Sequence, residues 1–162
     1  MMNGFPSFNL LARCAGLGVA AGMRSQIPFA LLAVAANRGD FAVGAGRPLS
    51  LLRSRRALVG LGLAAGGELI GDKLPKTPSR LEPVPLAGRL AIGGAAGAAL
   101  ARQGSGSLGL GAGMGSAGAA IGAYAGYHLR ALAGEKTGLS DLVWAVVEDV
   151  LAIGLGASAV GR

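Results

Sequence analysis

Polar and apolar residues in this chain are sorted into long blocks. Five apolar regions, 8–37, 57–70, 84–101, 108–129 and 139–160, are separated by short polar connections rich in turn residues. A helix that crosses a bilayer needs about 20 residues, with a range of about 17–25. The last three regions fit that length, and the second fits if it continues through Asp72. The first is too long for one straight span. It is interrupted by "GMRSQIP", where Gly22, Arg24 and Pro28 together predict a broken or re-entrant helix. The pattern therefore predicts five spans, or six segments if the first is two pieces. The expected fold is an all-α integral membrane protein of glycine-rich transmembrane or re-entrant helices, a single transmembrane domain over 1–162.

Composition supports that expectation. The 162 residues are 52% hydrophobic and only 14% charged, whereas a soluble domain carries about 25% charged residues. So few charges cannot cover a water-facing surface, so the expected solvent is lipid. Net charge is +7, but the basic residues gather beside apolar runs, as Arg53, Arg55 and Arg56 do before "ALVGLGLAAGG". The charge reads as topology and contact with anionic headgroups, not as a nucleic-acid surface. The connection 37–56 holds five arginines against one aspartate and is expected on the cytoplasmic side of a bacterial inner membrane. The N-terminus lacks a basic stretch before its apolar run, so the first segment is expected to stay in the fold and not to be cleaved as a signal peptide. Cys14 is the only cysteine, which excludes an internal disulfide and a cysteine-rich metal site.

Two further patterns concern packing. Gly111 and Gly115, then Gly118, Gly122 and Gly126, recur every four residues, and Gly62 and Gly66 repeat the spacing. Small residues so spaced line one helix face and let backbones approach in lipid, within the chain or between copies in a homo-oligomer. A candidate internal hairpin repeat pairs "LAAGGELIGDKL" with "AYAGYHLRALAG", setting Glu68 against His128, and "LAIGGAAGA" with "LAIGLGASA".

The charges inside apolar runs are what packing leaves unexplained. Glu148 and Asp149 stand side by side in "WAVVEDVLAIGLG", near the middle of the last apolar region. A charge at that depth costs roughly 2.5–3.5 kcal/mol by insertion measurements. Consecutive residues point about 100° apart on a helix, so the pair needs a polar interior. Alternating topology brings Glu68, Asp72, His128, Arg130, Arg89 and Arg24 into the same half of the membrane. Glu148, Asp149, Glu68, Asp72 and His128 are thus the candidate ion- or proton-binding residues, with Arg24 and Arg89 as counter-charges. Glu68, Asp72 and His128 are also a candidate divalent-cation set. No other cofactor is implied. No Ser-His-Asp arrangement, paired metal-binding histidines or phosphate loop is present, so an enzyme is not expected.

The stretches "GELIGDKLPKTPSRLEP" and "GYHLRALAGEKTGLSDLVWAVVEDVLAIG" resemble a bacterial integral membrane family of unknown function, DUF4126. The resemblance rests on Glu68, Asp72, Lys73, Pro75, His128, Glu148, Asp149 and Val150, with Gly22, Met23, Arg24 and Ser25 as an early element. It implies the fold and the residue set, and no activity. The leading functional expectation is a small transporter or channel, ion- or proton-coupled through intramembrane carboxylates. The alternative is a structural or accessory membrane protein whose buried charges specify helix packing.

Overall fold

The computed structural model describes residues 8–40, 49–71, 79–104 and 106–161. Among them are six α-helices and no strand: α1 Phe8–Met23, α2 Ile27–Arg38, α3 Arg55–Gly71, α4 Pro83–Gln103, α5 Leu108–Thr137 and α6 Asp141–Val160. A short 3₁₀ turn, Leu49–Arg53, precedes α3. The first apolar region is two helices, as its interruption predicts. Pro28 is the second residue of α2. It has no N–H to donate to the carbonyl of Arg24, and in a continuous helix its ring would strike that carbonyl. Gly22 has a different role from the one its position suggests. A Cβ there would strike the backbone of α5 at Ala119 and Gly122, so the residue serves close packing.

The partners along each helix give the course of the chain. Arg13, near the start of α1, donates from Nε to the Ala159 carbonyl at 2.7 Å and from Nη2 to the Gly161 carbonyl at 2.8 Å. It thereby supplies a cation and donors to the unpaired carbonyls that end α6. Leu32, Ala35 and Ala36 of α2 pack in one apolar cluster with Leu10 of α1 and Val160 of α6. The chain therefore turns at 24–26 and α2 folds back beside α1. The two form a helical hairpin with its apex at Arg24. The Gln103 amide, at the end of α4, donates to the Asp40 carbonyl, so both lie at the end of the molecule opposite that apex. The helices alternate in direction, and α1 runs parallel to α5.

Glycine sets the spacing of the central helices. A Cβ on Gly18 would collide with the Gly115 backbone, on Gly115 with Gly93, on Gly97 with Gly111, and on Gly118 with Ala15. α1, α4 and α5 meet backbone to backbone along this line. Cys14 is fully buried in it and its thiol donates to the Gly97 carbonyl at 3.3 Å. By contrast, α3 buries only Ala65. It rests on α2 and the 3₁₀ turn, while α5 touches α6, so the two halves of the candidate repeat pack differently.

Large apolar side chains point outward: Val59, Leu63 and Ile70 on α3, Ile121 and Leu129 on α5, Val146 and Val150 on α6. Among the described residues two helices, α4 and α6, are long and apolar enough to cross a membrane, where five spans were expected. Over the described residues α1, α2 and α3 contain 16, 12 and 17 residues, about 24, 18 and 26 Å at 1.5 Å per residue. α5 has 30 residues, but its glycines and polar last turns dilute its apolar character.

Replacing Gly115 by Ala is expected to cost about 1–3 kcal/mol, the range for overpacking a tight core. The same change at Gly113, whose added Cβ meets nothing within 4 Å, should be neutral or mildly stabilising. Thermal unfolding of the two purified variants in detergent measures the difference. Equal effects would contradict the backbone contact.

Candidate functional site

The charged side chains collect at the apex end. The reversal leaves the last carbonyls of α1 and the first N–H groups of α2 without helical partners. Glu68, near the end of α3, binds the turn that leads into α2. Its Oε1 accepts from the Ser25 N–H at 2.7 Å and the Ser25 hydroxyl at 2.8 Å, and its Oε2 accepts from the Gln26 N–H at 2.8 Å. Arg89, one and a half turns into α4, meets the first set. Its Nη1 donates to the carbonyls of Gly22 at 3.2 Å and Met23 at 3.1 Å, and lies 3.6 Å from Glu68 Oε1. An anion thus sits at the N-terminus of α2 and a cation at the C-terminus of α1, each matched to the sign of the local helix dipole.

Arg24 is the apex itself, and its side chain is fully buried. Its Nε donates to Asp149 Oδ1 at 2.5 Å, and its Nη2 lies 3.9 Å from Glu148 Oε2. One guanidinium reaches both carboxylates, which is how two acids 100° apart on α6 are accommodated together. Glu148 meets two more arginines. Arg80, in the connection before α4, forms a two-pronged pair with it, Nη1 to Oε1 and Nη2 to Oε2 at 3.0 Å. Arg130 Nη1 of α5 lies 3.8 Å from Oε2. Arg130 also binds Asp141 through Nε, at 2.6 Å, and Nη2. Gly126 makes room for this arrangement, because a Cβ there would lie 2.6 Å from Glu148 Oε1 and 2.9 Å from Arg80 Nη1.

The sequence-predicted residues are therefore only partly brought together. Arg24, Glu148 and Asp149 form one group and Glu68 with Arg89 an adjoining one. Arg89 pairs with Glu68, not with the α6 acids. Because α6 begins at Asp141, Glu148 stands about 10 Å from its start and about 4 Å short of its middle, on the apex side. His128 is exposed on α5, edge-on to the Tyr127 ring at 5.2 Å. Asp72 lies outside the described residues. Among the described residues no three His, Cys, Asp or Glu side chains converge as a metal site requires. Arg80 and Asp141 were not singled out as site residues from the sequence, and Ser25 entered only through the family resemblance. The one signal for Arg80 was a deficit: two carboxylates in α6 needed more than one guanidinium, and Arg80 lies just before the helix that returns from that end.

Among the described residues the fold is all-helical, with a helical hairpin at its start and a buried arginine–carboxylate network at the hairpin's apex. The chain belongs to the family described as Domain of unknown function (DUF4126), whose model matches residues 11–161. No curated protein and no solved structure matches it.

Glu68→Ala leaves Arg89 and two N–H groups facing an emptied, partly buried position and is expected to cost about 1–3 kcal/mol. Glu68→Gln keeps an acceptor and should cost less. Asp141→Ala removes a side chain that is 76% exposed and should cost no more than about 1 kcal/mol. Thermal unfolding ranks the three, and a loss at Asp141 as large as that at Glu68→Ala would contradict the ranking.

Proposed function

We propose that this chain is a multi-pass protein of the bacterial inner membrane that moves a small ion or solute, with coupling through the apex network. The observation that carries this reading is the reversal of the backbone at Arg24, enclosed by charged side chains from α3, α4 and α6. Irregular backbone at membrane depth is tolerated where protein or a water-filled cavity surrounds it, and discontinuous helices whose ends face charged groups are the usual construction of transporter sites. The outward apolar side chains suit a lipid environment. In this reading the protein is not an enzyme, binds no nucleic acid and needs no resident cofactor. Glu148 and Asp149 are the moving or ion-binding acids, Arg24 their counter-charge. Glu68, Asp72 and His128 remain the residues to test with divalent cations. A contact between copies would run through α3, because added Cβ atoms on Gly62 and Gly66 meet nothing within 4 Å among the described residues.

One observation favours the structural alternative. Each described acid of the network has a guanidinium beside it, Glu68 with Arg89, Asp141 with Arg130, Glu148 with Arg80 and Asp149 with Arg24, an arrangement that also serves simply to specify packing.

Flux separates the two. Protein reconstituted into vesicles, with proton and mono- or divalent-ion movement followed by entrapped dyes, is expected to conduct in the wild type. The Glu148→Gln variant, folded by circular dichroism, is expected to lose most of that flux. No flux for any ion in the wild type, with Glu148→Gln merely less stable, supports the structural alternative.

A further inference from the structure

A trough of about 310 Å³ runs along the later turns of α4, toward the end of the molecule opposite the apex. Its floor is Ala95, Ala98 and Ala99, which with Arg102 fall at i, i+3, i+4 and i+7 and share one side of the helix. Phe29 of α2, Leu49 of the 3₁₀ turn and Leu108 of α5 complete the lining. Ala95 and Leu108 are exposed, so the trough opens outward, toward lipid in the proposed setting. Apolar atoms with nothing against them forfeit dispersion contacts. One acyl chain laid over the alanines, about 10 Å along α4, restores them.

Arg102 is the only charged residue of the lining. α4 is long and apolar enough to cross a membrane, and Arg102 lies one residue from its end, at headgroup level in that setting. The Asn37 amide donates to the Leu52 carbonyl at 2.9 Å and the Gln103 amide to the Asp40 carbonyl at 3.3 Å. These bonds gather the end of α2, the 3₁₀ turn with the start of α3, and the end of α4 at one end of the molecule. Arg38, Arg53, Arg55, Arg56 and Arg102 therefore stand there together, with Asp40 the one acid among the described residues of that end. All five are exposed, and among the described residues none forms an ion pair. The stretch 41–48 that follows α2 holds Arg47 and no acid. The acids at the apex are each matched by a guanidinium of the chain; the guanidiniums at this end have no such match and suit an anion from outside. Phosphate takes a guanidinium in the same two-pronged way as carboxylate.

We propose that this trough binds one anionic phospholipid, with an acyl chain on Ala95, Ala98 and Ala99 and the phosphate on Arg102. That assignment rests on the membrane reading above and adds to it a ligand class, a place and a residue that reads the headgroup. It differs from the general attraction of basic segments to a leaflet in having one place and one lipid per chain.

Native mass spectrometry counts the lipids that stay on full-length protein in detergent. Titrated with phosphatidylglycerol, the protein is expected to retain a first lipid about fivefold more tightly than phosphatidylcholine, the effect of one basic side chain near a headgroup. Arg102→Gln should remove that preference, and Arg102→Lys should keep part of it. Ala98→Phe, which fills the trough, should weaken retention of both lipids. Arg56→Gln, which does not line the trough, should leave the first lipid in place. If Ala98→Phe fails to fold, the exposed Arg102 carries the test. Equal retention of both lipids overturns the site and leaves the membrane reading standing. A preference that Arg102→Gln does not alter, or that Arg56→Gln lowers as much, also overturns it. Retention of neither lipid does the same, and if the chain then stays monodisperse without detergent the membrane reading falls with it.

Discussion

Everything at the apex end of this molecule depends on one reversal of the chain inside protein. A helix that stops within a packed interior leaves carbonyls unpaired, and a helix that starts there leaves N–H groups unpaired, each costly without a partner. Glu68 accepts from the N–H groups of Ser25 and Gln26 in the turn before α2, and Arg89 donates to the last carbonyls of α1. Because those two side chains come from α3 and α4, the reversal ties four helices together. Arg24, placed at the turn itself, extends the tie to α6 through Asp149.

Glycine makes that arrangement geometrically accessible. With α1, α4 and α5 in backbone contact at Gly18, Gly93, Gly97 and Gly115, the central helices lie too close for long side chains between them. Long polar side chains can then converge only where the glycine line ends. Gly126 marks that point, since its missing Cβ is the space used by Arg80 and Glu148. The opposite end of the bundle is held differently, by Arg13 on the terminal carbonyls of α6 and by an apolar cluster. One end is therefore a closed apolar fastening and the other a polar network, an asymmetry consistent with chemistry confined to the apex end.

Much of this was readable from the residues in order. Six helical segments follow from apolar blocks and breaks, the split at Pro28 from its missing N–H, and the burial of Arg24, Arg89, Glu148 and Asp149 from charges set in apolar runs. The family assignment followed from the same residues. What the chain order could not show was pairing. Arg89 and Arg24 are equally plausible partners for the α6 acids on paper, and the choice between them is made by which helix end each one faces. Arg80 sits in a proline-rich connection, where a basic residue reads as a surface charge, yet it binds Glu148.

The sequence by itself determined the class of fold, the position of the break and the list of buried charges, because hydropathy, proline chemistry and the cost of burying a charge act locally along the chain. Only the tertiary structure decided that α2 folds back beside α1, that Glu68 and Arg89 satisfy the helix ends at the turn, and that three arginines meet at Glu148. Those outcomes depend on distances between residues as far apart as 24 and 149, which are set by how the glycine faces pack and by no local preference.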